Sequence, residues 1–239
     1  MTWLWVALAV LSSVALLYWL VISTEGTYLG TRAVVIMYDW TARRYNRIKN
    51  LRSVYEVYFL GGPLGVKLAA VQRPLVLDVA TGTGRLPAAV LAGAEGRAQV
   101  VGVDYSLPML AEAAETLAPY NGRVALLQGD AHRIMFGDAT FDAVSCLEAL
   151  EFMRDPRAVI REMIRVLKPG GVILVSNRVG WESWLFPGRH CRRGRLEALL
   201  RREGIVSIDT HLWQTYYDLI WATKPRDGQT VGLGGTDEA

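Results

Sequence analysis

Cysteine and histidine are scarce in this chain, and their scarcity removes whole classes of chemistry. Two cysteines, Cys146 and Cys191, and three histidines in 239 residues make neither a disulfide framework nor zinc-like spacing. Cys146 falls inside an apolar run and reads as a small buried hydrophobe in a reducing, cytoplasmic setting. Net charge is also small, +3 at pH 7. The basic residues are concentrated rather than spread, so no nucleic-acid partner is expected. No Gly-Lys-Ser/Thr phosphate loop occurs, which excludes a P-loop nucleotide site.

Apolar residues, by contrast, make up 51% of the chain, high for a soluble protein. The excess has an address. Trp3 to Ile22 reads WLWVALAVLSSVALLYWLVI, twenty residues without a charge, Pro or Gly. In a helix at ~1.5 Å per residue such a run spans roughly 30 Å, the thickness of bilayer hydrocarbon. Eleven of the twenty are Leu, Val or Ile, worth together roughly −3 to −6 kcal/mol on the insertion scale. Trp3, Trp5, Tyr18 and Trp19 sit at its two ends, where interfacial aromatics belong. A cleavable signal peptide would want a basic start and a shorter apolar core. The tail here is only Met-Thr, which favours an uncleaved signal anchor over residues 1–24.

Arg32, Arg43, Arg44, Arg47, Lys49 and Arg52 follow, against the single acid Asp39, a local charge of +5. The positive-inside rule puts this flank and the domain behind it on the cytoplasmic face, with the N-terminus outside. A solvated amphipathic helix is the plainer account of the same charges. Residues 25–72 read as basic juxtamembrane and cap helices, and the bilayer is an expected partner.

From residue 74 short apolar runs alternate with helical periods, the mark of βαβ units and a parallel sheet. Strands are expected at Leu75–Val79, Val100–Asp104, Val124–Gln128, Phe141–Cys146 and Val172–Asn177. Helices are expected at Arg85–Ala94, Pro108–Leu117 and Pro156–Leu167, the last stopped by Pro169-Gly170-Gly171. A helix over Arg195–Glu203 precedes two β-rich runs, Ile205–Leu212 and Tyr216–Thr223, that read as a hairpin. The domain spans 73–224, and the Gly-rich, polar tail over 225–239 is expected to be disordered.

The chemistry begins at "LVLDVATGTGRLP". A strand ends near Asp78, and Gly82 and Gly84 allow a tight turn and close approach to a ligand at a helix N-terminus. A dinucleotide fingerprint would want a third glycine where this chain has Pro87. "VVGVDYS" then places Asp104 at a second strand end, suited to ribose hydroxyls but common to many nucleoside-binding folds.

Together "VLDVATGTG", "VVGVDYSLPML", "LLQGDAHRIMFGDATFDAVSC" and "MIRVLKPGGVILVSN" resemble, in order and spacing, the successive motifs of class I S-adenosylmethionine-dependent methyltransferases. The nearest branch is the ubiquinone/menaquinone C-methyltransferase-like group, and the resemblance runs over about residues 38 to 223. "YDWTARRYN" is similar to the stretch whose tyrosine covers the cofactor in that branch, matching Tyr38 and Tyr45. The resemblance implies a doubly wound seven-stranded α/β sheet, mostly parallel with the last strand antiparallel; the apolar run at residues 3–22 adds one transmembrane helix before it.

It also implies S-adenosyl-L-methionine as cofactor and a set of roles. Asp78 orients the glycine loop and the methionine amine; Ala80, Gly82 and Gly84 line the amino-acid end. Asp104 holds the ribose, with Tyr105 and Met109 beside the adenine. Asp130 and Ala131 read the adenine edge, and Cys146 and Leu147 border the sulfonium. Ala80 stands where many relatives have glycine, and Phe152 where many have His. Glu148, Glu151 and His190 are candidate bases, although each Glu also fits a helix first turn and His190 a solvated loop.

Three functions stay open: a membrane-anchored methyltransferase with a lipophilic acceptor, a tethered cofactor-binding module without turnover, and an NAD-dependent oxidoreductase. Pro87 and the closing hairpin argue against the last. One stretch remains, "WESWLFPGRHCRRGR". Trp181, Trp184, Leu185 and Phe186 read as interfacial, and Arg189, Arg192, Arg193 and Arg195 as contacts for anionic head groups. The alternative is aromatics packed under a loop beside a solvated helix start.

Overall fold

The structure is a computed structural model that describes residues 2–48, 53–93, 97–189 and 191–228. Lys49 and Arg52 of the basic flank, His190 and most of the expected tail lie outside the described residues, as do the side chains of Arg44 and Arg47.

Helix α1 (Thr2–Tyr18) widens into a π turn at Trp19–Ser23. Together they form one helix of 22 residues, long and apolar enough to cross a membrane, with none of its central window buried against the domain. Helix α2 (Thr31–Ile48) follows, then the short helices α3 (Ser53–Glu56) and α4 (Gly62–Lys67).

Strand β1 (Leu75–Val79) is buried along almost its whole length, as a central strand covered on both faces must be. It pairs in parallel with β2 (Gln99–Asp104) on one side and β4 (Phe141–Cys146) on the other. With β3 (Val124–Gln128), β5 (Leu167–Arg178), β6 (Val206–Gln214) and β7 (Tyr217–Thr223) they make a seven-stranded sheet of order β3-β2-β1-β4-β5-β7-β6. β7 runs antiparallel to both β5 and β6.

Helices α5 (Arg85–Gly93) and α6 (Leu107–Leu117) cover one face of the sheet, their Leu86, Val90, Ala113 and Leu117 packing with Leu60 and Leu64. The other face takes α7 (Pro156–Val166) and α8 (Arg195–Arg202) through Val159, Ile160, Met163, Leu196 and Leu199. Caps fix two helix starts. Ser106 Oγ accepts from Met109 N at 3.1 Å, and Asp155 Oδ1 accepts from Arg157 N at 3.0 Å.

The expected helix stop is corrected in one respect. Helix α7 ends at Val166, and Pro169-Gly170-Gly171 belongs to an irregular start of β5. There Leu167 faces Phe141 while Val172 already faces Ala143, so the residues between are looped out of register. Gly170, at φ 78°, donates to Lys224 O, and Gly171 O accepts from Lys224 N, each at 2.9 Å. Lys224 thus binds the backbone groups the bulge takes out of the ladder.

Candidate active site

The loop after β1 is shaped by the sign of its backbone angles. Ala80, Gly82 and Gly84 have φ of 56°, 54° and 81°, a region free for glycine and strained for alanine. A Cβ on Gly82 would meet nothing within 4 Å, whereas one on Gly84 would lie 2.8 Å from Leu117 Cδ1. Gly82 therefore faces open space, and Gly84 lets the loop close on α6.

Two carboxylates hold this loop. Asp78 accepts from Thr81 Oγ1 at 2.8 Å and Ser145 Oγ at 2.7 Å. Burial lifts its pKa from 3.8 to about 7 against the pull of those hydroxyls. Asp104 accepts from the amides of Gly82 at 2.8 Å and Ser106 at 2.9 Å. Desolvation raises its pKa, and the same backbone bonds oppose the rise.

Above the loop a cleft opens at the C-terminal strand ends. This is the edge where open α/β sheets bind ligands. Its floor is Ala80, Gly82, Val103, Asp104, Tyr105 and Met109, and one end is Gly129, Asp130, Ala131 and His132. Asp130 accepts from His132 N at 2.9 Å and lies 2.8 Å from the ring Nδ1, while His132 Nε2 accepts from Asp155 N at 3.2 Å. Those bonds assign the imidazole proton to Nδ1. Desolvation pushes the Asp130 pKa up, but its bonds to His132 outweigh it and the net shift is downward.

The roof is α2. Thr31, Val34, Val35, Tyr38 and Tyr45 line the cleft, a spacing that keeps one helix face inward. Tyr38 packs 5.8 Å from Tyr45 and 5.9 Å from Phe152 between ring centres. Its hydroxyl donates to Glu25 at 2.7 Å, and burial beside that carboxylate lifts its pKa well above the usual phenol value. Ser106 Oγ also donates to Asp39, pinning the helix to the loop before α6.

The far wall is Leu147, Glu148, Ala149, Phe152 and Met153. Glu148 stands at φ 50°, a strained angle for a side chain of its size. Arg85 donates to its carboxylate and pairs with Glu56 at 2.7 Å, and Gln214 Nε2 donates to it at 3.1 Å. Glu151 lies deeper. It accepts from Arg178 Nε at 3.1 Å and Tyr217 Oη at 2.6 Å. Arg178 also reaches Glu182 at 2.6 Å and Glu25 at 3.9 Å.

Of the residues singled out from sequence, Tyr38, Tyr45, Ala80, Gly82, Asp104, Tyr105, Met109, Asp130, Ala131, Leu147 and Glu148 line this cleft. Asp78, Gly84, Cys146 and Glu151 do not; they stand behind the wall as supports, Cys146 fully buried. Thr31, Val34, Val35, Ser106, His132 and Met153 also line it and were not anticipated. Stepping three, four and seven residues back from Tyr38 would have found the first three.

The stretch after β5 divides. Phe186 is 1% exposed and packs with Phe152 and Cys191, so its expected interfacial role is corrected to core packing. Arg193 is likewise committed, pairing with Asp218 at 2.5 Å. Arg189 donates to the backbone of Met153 and lies over Tyr28. Trp181 and Trp184 remain 61% and 72% exposed.

Residues 76–171 match the family model described as a methyltransferase domain. This chain carries a methyltransferase domain. A ubiquinone/menaquinone biosynthesis C-methyltransferase of Syntrophotalea carbinolica is 36% identical over 141 residues, 58% of each chain. A demethylmenaquinone methyltransferase of Clavibacter sepedonicus is 35% identical over 59% of this chain and 56% of its own. The chain thus spans little more than half the length of these curated relatives. Among solved structures, the [4+2]-cyclase SpnF superposes with a TM-score of 0.64 at 21% identity, over 82% of this chain and 97% of its own. A SAM-dependent methyltransferase of Aquifex aeolicus gives 0.58 at 17% identity, over 77% and 97%. These two likenesses speak for the fold alone.

A methyltransferase domain of this kind takes S-adenosylmethionine as its cofactor. The cleft suits it. None of the described residues lining the cleft is Lys or Arg, and the acids among them leave it without a fixed cation. Carboxylates at Asp104, Asp130 and Glu148, with apolar Val103, Met109 and Leu147 between them, fit a nucleoside that carries positive charge.

Proposed function

We propose that this chain is a methyltransferase held at a membrane by Thr2–Ser23, acting on a lipophilic or membrane-presented acceptor. A quinone ring, a phospholipid amine and a small lipophilic thiol or hydroxyl all belong to that class. The observation that carries the reading is the roof of the cleft: α2 begins eight residues beyond the end of the apolar helix, so anchor and acceptor entrance share one short segment. The basic flank of that segment sets the domain on the cytoplasmic face.

Bound S-adenosylmethionine supplies an activated methyl group, transferred by in-line displacement. Asp104 would hold the ribose hydroxyls and Asp130 would accept from the adenine amino group. Gly82 and Ala80 admit the amino-acid end, over a loop that Asp78 keeps in shape. Tyr38 and Tyr45, lining the cleft from α2, would cover the cofactor and keep water out. Leu147 and Glu148 line the wall where the methyl group would lie, and the roof and far wall together would align the acceptor with it. Glu148 is engaged by Arg85 and Gln214, and Glu151 by Arg178 and Tyr217. Both carboxylates are already committed to these partners, which favours a nucleophile that needs no base from the protein.

That same engagement favours a second reading, a tethered module that binds the cofactor without turnover. Membranes containing the full chain, incubated with methyl-labelled S-adenosylmethionine and then extracted with organic solvent, separate the two. Label in an extracted lipid is the expected result. Label only in water-soluble product overturns the lipophilic acceptor, and bound cofactor with no labelled product supports the silent module.

A further inference from the structure

The apolar helix is fastened to one particular loop of the domain. Trp19, in its last turn, stacks on Tyr28 with ring centres 5.1 Å apart. Tyr28 Oη donates to Pro187 O at 2.8 Å, and the Arg189 guanidinium lies 5.7 Å from the Tyr28 ring centre. Wherever the foot of that helix goes, the loop carrying Trp181 and Trp184 goes with it. These indoles stay exposed although Phe186, in the same loop, is fully buried, and Arg192 sits 5.0 Å over the Trp184 ring.

Helix α2 shows the same division across its width. Val34, Val35 and Tyr38 face the cleft. On the opposite side Ile36 and Trp40, one turn apart, are 67% and 89% exposed, with Arg32 and Arg43 exposed on the same stripe. Open indoles and aliphatics interleaved with arginine have the composition of surfaces that lie at the headgroup level of a bilayer. Continuity with the foot of the span decides the partner: a surface fixed there meets lipid first.

We infer that Ile36 and Trp40 of α2 and Trp181 and Trp184 of the 181–195 loop seat the domain in the headgroup layer beside the span, with Arg32, Arg43 and Arg192 toward anionic lipid. The inference rests on the membrane-anchored reading. It makes α2 a partition one helix thick, with lipid on one side and the cleft on the other, so that the acceptor enters directly from the leaflet.

Spin labels on Leu11→Cys, Trp40→Cys, Trp184→Cys and, as an exposed reference on α4, Val66→Cys test it. The full chain is reconstituted into phosphatidylcholine vesicles containing phosphatidylglycerol. Cys146 and Cys191 are buried, and the unsubstituted chain serves as the labelling blank. Positions 11, 40 and 184 are expected to collide with dissolved oxygen and to be shielded several-fold from an aqueous nickel chelate relative to 66. A lipid-like signal at 11 with chelate-accessible labels at 40 and 184 overturns the seating and leaves the anchor standing. Chelate access at all four positions overturns the anchor and the seating together. In vesicles of phosphatidylcholine alone, chelate access at 184 is expected to rise; an unchanged value overturns the role given to the arginines.

Discussion

The floor of the cleft and its roof are built from contacts of different reach. On the floor, Asp104 holds the amide of Gly82 and Asp78 holds Thr81 and Ser145. The register of β1 with β2 and β4 brings those partners together. The roof, residues 24–48 with the 181–195 loop, is held instead by side chains that meet across most of the chain. Tyr28 reaches Pro187, 159 residues away, Tyr38 packs on Phe152, and Arg178, besides its nearer partners Glu151 and Glu182, reaches back to Glu25. A floor fixed by strand register tolerates substitution around it, whereas a roof fixed by a few side chains depends on each of them.

Arg178→Ala puts that contrast to its hardest test. It leaves Glu151 buried without its guanidinium, and breaking a buried pair costs about 3–5 kcal/mol. Urea denaturation of the detergent-solubilised chain reads the loss, and a change under ~0.5 kcal/mol would place the roof's support elsewhere. Phe186→Ala should cost about 3 kcal/mol or more, as buried aromatics do. Trp184→Ala beside it should stay within ~0.5 kcal/mol in detergent. Equal losses would erase the distinction drawn between these neighbours.

On the floor the expected effects are smaller and tied to pH and cofactor. The folded Asp78 carboxyl titrates near 7 rather than 3.8, so between those values the native state holds a proton the unfolded chain has released. Stability is therefore greatest below the lower value and falls as pH rises through the upper one. Asp78→Asn should flatten that part of the pH profile, and an unaltered slope would sink the assignment. Asp104→Ala should weaken S-adenosylmethionine binding by roughly 1.5–3 kcal/mol, the scale of bonds to a charged group, read by calorimetry. The smallest effect is expected of Ala80→Gly. Relief of the left-handed alanine, at ~1 kcal/mol or more, is partly offset by glycine's unfolded-state entropy. A melting temperature unchanged or slightly raised is the expected outcome; a clear fall would mean that the Ala80 methyl packs against something the loop needs.

The same difference in reach decides what the sequence made legible. Strands β1 to β5 were each expected within a residue or so at their ordered cores, because buried strands, glycine turns and capped helices are local patterns. Ordered motifs likewise carried eleven cleft-lining side chains. Local pattern failed where a residue's fate depends on a distant partner. Nothing in "WESWLFPGRHCRRGR" says that Phe186 turns inward to Phe152 while Trp184 two residues earlier stays out, or that Arg193 finds Asp218 across the sheet. Glu148 and Glu151 looked alike as candidate bases, and only the fold reveals that a different arginine engages each. The Pro169-Gly170-Gly171 bulge misled in the opposite way, a local stop signal that the sheet absorbed through Lys224.

The reversed direction of β7 bears on how the chain can be handled. Because β7 runs against β5, Thr223 pairs with Val172 at the beginning of the regular part of that strand. The path therefore leaves the sheet at the rim farthest from the cleft, while the segment that enters from α1 arrives at the cleft's own rim. A reporter, affinity handle or fused domain joined directly after Gly228 would start from the side opposite the cleft. That gives an immobilisation geometry in which the cleft faces outward from a solid support.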